Sequence, residues 1–242
     1  SLTASGQRID SSWISEGIYS SLLQDYGQIE KAAKVVNVSG LFSYRDVSAP
    51  NRYWWVDPEF LEIFSFNFIQ GASETALTDP NTIVLTQSTA RKYFGSEDPM
   101  GKVLTLDGLA DLRVTGVISD LPPNTHIDIQ AMIGSPTGRQ MIGETFMNSP
   151  GWASYNGTML YVVIPDPASV ESMRYDLPNF IERNVPDVQR DFVLSLDTAL
   201  DLEPLADAHL SPRQGFAAAD YSRTLVLGGL ITFAVLILLS SC

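Results

Sequence analysis

The stretch DPNTIVLTQSTARKYFGSEDPMGKVLTL, residues 79–106, carries the alternation on which the fold is read. Asp79-Pro80-Asn81 is a turn: Pro presets φ, and Asp and Asn side chains bond the local backbone. TIVLT (82–86) follows as a strand of β-branched and aliphatic residues. QSTARKYF (87–94) reads as a helix that stops at Gly95, where a left-handed C-terminal cap is expected. Asp98-Pro99-Met100-Gly101 turns the chain again into KVLTL (102–106). Strands mixed with short helices in this way, here and along the rest of the chain, are read as an α+β fold.

Downstream, Asp107-Gly108 predicts a β-hairpin between KVLTL and LRVTGVI (112–118). Pro122-Pro123-Asn124 breaks the chain before HIDIQAMI (126–133), whose alternation predicts a strand with one wet face. Residues 135–157 are rich in Gly, Pro, Ser and Asn and read as a loop. TMLYVVI (158–164), a helix over 168–184 and RDFVLSLDT (190–198) then form a β-α-β pattern. Ser169 and Ser172 are candidate caps for that helix, and Pro178 inside it predicts a kink. Upstream, Ile14, Ile18, Leu22 and Tyr26 recur every four residues, predicting a helix capped by Ser11 or Ser12. Residues 33–38 and 41–44 read as one strand or a strand pair, and NRYWWV (51–56) as a further strand. Asp57-Pro58 opens a short helix over 59–64, since Pro suits the first helical turn. SFNFI (65–69) is a short apolar run closed by Gly71.

Charge narrows the class. The 242 residues hold 28 Asp and Glu against 15 Lys and Arg, a net charge of −13. At 45% apolar and 18% charged, the chain is too apolar for a disordered acidic tail. The acid excess, with no run of four basic residues, excludes nucleic acid as a partner. The last charged residue is Arg223, and TLVLGGLITFAVLILLSSC (224–242) is uncharged throughout. A stretch of that length and hydropathy is expected to start a transmembrane helix. The charge then belongs to residues 1–223, an acidic domain beside a membrane. The single cysteine, Cys242, leaves no disulfide framework and no Cys-based zinc site.

The search for reactive chemistry leaves little. His126 and His209 are far apart, and neither sits in a zinc-binding helix pattern. There is no nucleophile elbow, no phosphate loop and no dinucleotide fingerprint. Asp107/Asp111, Glu59/Glu62 and Asp197/Asp201 are close in sequence, but each falls at a turn or a solvated position. No catalytic residue, cofactor or metal is expected. One cluster stands apart: Tyr53, Trp54, Trp55, Phe60, Phe64, Phe66 and Phe68. Alternation puts Tyr53 and Trp55 on one strand face and Trp54 on the other. Either both faces are buried, or these three residues form an exposed surface for a partner or substrate. The second reading requires a deep apolar pocket beside Trp54 and Trp55.

Three ordered motifs resemble the periplasmic domain of MacB/FtsX-type ABC transporter permeases. The first is met by Pro58, Phe60, Phe64 and Gly71 in VDPEFLEIFSFNFIQG (56–71). The second is met by Val84, Leu85, Ala90, Phe94, Gly95, Pro99, Gly101 and Lys102 in 79–106. The third is met by Val114, Gly116, Val117, Asp120 and Pro122 in VTGVISDLPPNTHIDI (114–129). EPLADAHLS (203–211) is similar to the connector before the family's second transmembrane helix. The motif residues themselves read as structural: glycines for turns, Pro99 for a bend, aliphatics for core.

The resemblance implies a porter-like α/β subdomain split in sequence, 1–56 with 158–205, and an inserted β-rich subdomain at 57–150. Residues 151–157 become a loop, 206–223 a connector and 224–242 the start of a transmembrane helix. It also implies a place at the bacterial inner membrane, with the domain facing the periplasm. The partners implied are a cytoplasmic ATPase domain or subunit, a second permease copy in a dimer, and a periplasmic adaptor or client protein. No ATP site is expected on this chain, which is not expected to be an enzyme. A membrane-anchored periplasmic binding module using the aromatic cluster is the alternative function. A tethered hydrolase would need two carboxyls converging in one cleft.

Overall fold

The computed structural model describes residues 14–122, 128–142, 152, 158–195 and 200–205. In chain order these form α1 (Glu16–Asp25), β1 (Lys31–Tyr44), β2 (Val47–Val56), α2 (Phe60–Ile63) and β3 (Phe68–Gln70). Next come β4 (Thr82–Thr86), α3 (Gln87–Phe94), β5 (Val103–Leu106), β6 (Ala110–Ile118) and β7 (Ala131–Gly134). The last described elements are α4 (Ser135–Ile142), β8 (Thr158–Val163), α5 (Pro167–Asn184) and α6 (Asp187–Ser195). Expectations that fall on His126, His209, Ser11, Ser12, Asp197, 206–223 and 224–242 lie outside the described residues.

The strands close on themselves. β1 and β2 form a long antiparallel hairpin from Val35–Val56 to Tyr44–Val47. β2 pairs in parallel with β7, and β7 pairs antiparallel with β4. β4 runs parallel to β6, β6 antiparallel to β5, and β5 returns to β1 through Phe42–Leu106 and Ser43–Thr105. Closure removes the unpaired edges that an open sheet would expose. β3 adds to β6, and β8 adds to the first half of β1.

Period-two alternation divides the barrel residues between two cores. Phe42, Tyr53, Trp55, Ile83, Leu104 and Leu112 share one cluster, against which Tyr93 and Phe94 of α3 pack. Trp54, Val84 and Met132 point the other way, under Phe60, Leu61 and Leu77. A third cluster joins α1 to α5 through Ile18, Leu22, Leu177 and Phe180, with Trp152 in contact.

Motif glycines occupy positions that a side chain would spoil. β6 carries one extra residue, Thr115, between the pairs Ile83–Val114 and Val84–Gly116. Such a bulge leaves its extra residue outside the ladder, and the Thr115 hydroxyl instead donates to the Ala76 carbonyl. At Gly116 a Cβ would lie 2.8 Å from the Phe68 ring. Gly95 has positive φ as expected, but with φ 61° and ψ −117° it is no left-handed cap. It is the first central residue of a tight turn closed by the Glu97 N–H on the Phe94 carbonyl at 3.0 Å.

α3 starts where the sequence predicts, and its N-terminal N–H groups are individually satisfied. The buried Thr86 side chain accepts from the Thr89 N–H at 3.4 Å. The motif carboxylate of Asp120 accepts from the Ser88 N–H at 3.0 Å. Thr86→Ala removes the cap and is expected to cost about 1–2 kcal/mol in denaturant unfolding.

Several expectations give way. Of the strand or strand pair read at 33–38 and 41–44, the single strand β1 forms. α1 is capped by Ser15, which accepts from the Ile18 N–H at 3.4 Å, while Ile14 bridges to Thr158 on β8. α5 is capped by Asp166, which takes the Ala168 and Ser169 N–H groups at 3.2 and 3.0 Å. Of the strand expected over 190–198, residues 190–195 are helical, inside α6: Pro186 ends one helix and sits before the next, and Asp187 places its charge in the first turn of α6. Residues 135–142, expected to be loop, form α4. Its polar Thr137 is buried because its hydroxyl accepts from the Asn81 N–H at 2.8 Å. The expected wet face of the 126–133 strand is absent from β7, where all four residues are buried between β2 and β4.

Candidate functional site

The aromatic triplet is core. Tyr53, Trp54 and Trp55 are 3%, 3% and 5% exposed. Barrel closure covers Tyr53 and Trp55, and α2 with Leu77 covers Trp54, so both faces of β2 are buried. The expectation of an exposed partner or substrate surface at Tyr53, Trp54 and Trp55 is therefore corrected. The two tryptophans nevertheless differ. The Trp54 indole N–H donates to the Asp128 carbonyl at 2.9 Å, whereas the buried Trp55 indole N–H has no partner. A buried donor left unpaired costs its desolvation without return. Trp54→Phe loses a hydrogen bond and Trp55→Phe loses none. Unfolding titrations are expected to find Trp55→Phe less damaging, by about 1–3 kcal/mol.

Among the described residues, the acids of the carboxylate pairs engage separate local partners. Asp107 accepts from the Leu41 N–H at 2.7 Å, and Asp111 accepts from the Thr105 hydroxyl at 2.8 Å. Glu62 pairs with Lys31 at 2.8 Å on the surface. Among the described residues, no group of three or more His, Cys, Asp or Glu side chains could hold a metal ion. No described helix is long and apolar enough to cross a membrane.

What the structure assembles instead is a set of ion-pair joints around α1. At its start, Glu16 meets Lys34 of β1 at 2.9 Å, with both side chains only 14% exposed. Burial raises the Glu16 carboxyl above the usual glutamate range, and Lys34 offsets part of that. Lys34 also lies 4.6 Å from the centroid of the Tyr19 ring, whose hydroxyl burial pushes up to about 12. Beside this pair, buried Asp57 accepts from the Lys34 N–H at 2.9 Å and lies 4.0 Å from Arg139 of α4.

At the other end of α1, Asp25 and Tyr26 meet Arg183 and Asp176 of α5. Tyr26 donates its hydroxyl to Asp176 at 3.0 Å, and Arg183 donates to Asp176 at 2.7 Å and to Asp25 at 2.9 Å. The Arg183 guanidinium, helped by Tyr26, lowers the Asp176 carboxyl to about 2. A depressed carboxylate stabilises the fold above its ordinary value. That contribution is lost as pH falls from about 4 toward 2.

None of these joints was visible in sequence order. The Arg183 and Asp25 partners are 158 positions apart. Of the arginine contacts on α5, Glu171 with Arg174 and Asp176 with Arg183 have helical spacing, three and seven residues apart, while Asp25 and Asp201 come from outside the helix.

Comparison with known proteins gives these joints a setting. Residues 3–180 match the sequence profile of the MacB-like periplasmic core domain. None of the curated proteins compared matches the chain. Three solved structures share the fold. A domain of a protein assigned as a permease, from Porphyromonas gingivalis, is 21% identical with a TM-score of 0.63, over 82% of this chain and 85% of its own. The extracellular domain of the noncanonic ABC-type transporter YknZ from Gram-positive bacteria is 12% identical, with a TM-score of 0.52 over 71% and 83%. The periplasmic region of MacB from Actinobacillus actinomycetemcomitans is 15% identical, with a TM-score of 0.51 over 80% and 87%. The profile match spans well over half of the sequence, and the closed barrel with its added helices agrees with it. This chain belongs to the family of MacB-like periplasmic core domains.

Proposed function

We propose that the chain is the extracytoplasmic domain of an ABC transporter permease in a bacterial inner membrane. In this reading, cytoplasmic ATP hydrolysis drives substrate export or partner activation by mechanical transmission through the domain. Family membership over residues 3–180 is the observation that carries the reading. The joints around α1 support it, because transmission needs elements held in fixed register rather than a reactive cleft. The partners that follow are a cytoplasmic ATPase domain or subunit, a second permease copy and a periplasmic adaptor or client protein.

The domain division proposed is a porter-like unit from 1–56 and 158–205 with 57–150 inserted. Its support is the third core cluster, which draws on α1 and α5 and is packed by Leu200 and Leu202. The β1–β2 hairpin serves both units: β1 pairs with β8 through Lys31–Val36 and with β5 at Phe42 and Ser43, while β2 pairs with β7 through Trp54–Val56. The alternative of a membrane-anchored binding module drew its ligand surface from Tyr53, Trp54 and Trp55. With those residues buried, no observation favours it.

Purification of the parent membrane protein tests the proposal. Vanadate-sensitive ATP hydrolysis is expected to copurify with it, from a fused domain or a bound subunit. A folded preparation that neither contains nor binds an ATPase contradicts the reading.

A further inference from the structure

Two arginines on one helix hold two segments that are distant in sequence. Near the C-terminal end of α5, Arg183 donates Nε to Asp25 at 2.9 Å and its two Nη groups to Asp176 at 3.2 and 2.7 Å. Asn184 adds a bond to Asp25 at 2.7 Å. These contacts seize the last turn of α1. Earlier on α5, Arg174 donates Nε to Asp201 at 3.1 Å and Nη2 to the Leu202 carbonyl at 2.7 Å, while Glu171 takes Nη1 at 2.7 Å. That second fork seizes residues 200–205. Between the two forks lies a shared apolar floor. Leu22 of α1 and Tyr26 just after it, Leu177 and Phe180 of α5, and Leu200 and Leu202 belong to or pack on one cluster.

The chemistry of the joints is directional. A guanidinium is planar and offers its donors as a rigid fork, so an arginine engaged on two sides fixes orientation as well as distance. Exposed ion pairs contribute little stability on their own. Their effect here is to remove the freedom of α1 and of 200–205 to slide or rotate against α5.

We propose that α5 couples the two segments: through Arg183 and Arg174, α1 and residues 200–205 move with α5 as one body. A displacement of either is then passed to the other instead of being absorbed between them. The proposal rests on the mechanical reading above and names the part of the domain that carries the motion.

Peptide-resolved hydrogen exchange on the parent protein, without nucleotide, tests the coupling in Arg183→Gln, Arg174→Gln and Arg183→Lys. Arg183→Gln is expected to speed exchange about tenfold in peptides covering 19–26 and also in 200–205, which Arg183 does not touch. Arg174→Gln is expected to do the same in both places, and peptides over β4 and α3 keep the parent rate. Arg183→Lys, which keeps the charge and loses the fork, falls between parent and Arg183→Gln. If Arg183→Gln does not fold, Arg183→Lys carries the comparison. Faster exchange confined to the segment each arginine contacts overturns the coupling, as does faster exchange throughout the barrel. A shared response in a protein whose exchange ignores ATP keeps the coupling and discards the mechanical reading. A local response in a protein that responds to ATP does the reverse.

Discussion

Phe42→Ala is expected to destabilise the domain by about 3–5 kcal/mol, the range for removing a fully buried aromatic ring. Phe42 is fully buried, with ring centroids 5.5 Å from Tyr53 and 6.4 Å from Tyr93. It is also one of the two β1 residues whose pairing with β5 closes the barrel. The cavity therefore opens at the closure itself, where α3, β2 and β5 all lose a packing partner. Equilibrium denaturation with tryptophan fluorescence measures the loss. A conservative Phe42→Leu keeps most of the volume and is expected to lose less than half as much.

Gly71→Ala is expected to cost about 3 kcal/mol or more, combining strain at positive φ with a backbone clash. Gly71 has a φ of 81°, and a Cβ there would fall 2.4 Å from the Thr115 carbonyl oxygen. That oxygen belongs to the bulge of β6 and has no flexible end that could yield. Gly108→Ala supplies the control. Gly108 also has positive φ, at 69°, but nothing lies within 4 Å of its would-be Cβ. Its cost is expected to be only the conformational one, about 1–2 kcal/mol. Thermal unfolding of both variants side by side separates the clash from the strain.

Local chemistry was legible in the sequence and closure was not. The turn at Asp79-Pro80, the strand TIVLT and the helix QSTARKYF are signalled by neighbours within a few residues, and all three form as read. Residues 190–198 alternate as a strand does, but Val188 and Phe192 also have the spacing of a helix. The helix forms because Pro186 and Asp187 are chemically a helix start. α4 was hidden by its Ser, Pro and Gly content. Pro136 suits a first turn, and the buried Thr137 hydroxyl is bonded by the distant Asn81 N–H. Strand β7 reads as half-wet because alternation reports one face at a time. The second face is covered by residues from α2 and from around Leu77, far away in sequence. The same limit leaves Tyr53, Trp54 and Trp55 open between two readings, since an aromatic strand buried on both sides and an exposed one have the same pattern.

The motif residues, by contrast, are explained locally by the fold. Gly71 and Gly116 allow β3 to approach β6, Asp120 satisfies the start of α3, and Gly95 makes the turn that follows it. Lys102 pairs with Glu97, which Arg45 also reaches at 2.9 Å. These positions mark the family because they build the barrel, and none of them faces a reactive cleft. The arginine joints on α5 carry no such motif, since Asp25, Asp201 and Leu202 reach the arginines only in the finished fold.

The most direct test of a nucleotide-driven periplasmic domain is hydrogen exchange of the parent permease with its ATPase, comparing the nucleotide-free state with the ATP–vanadate-trapped state. The account predicts altered exchange in α1, α5 and residues 200–205, with the barrel strands unchanged. Indistinguishable exchange throughout residues 14–205 in the two states would contradict it.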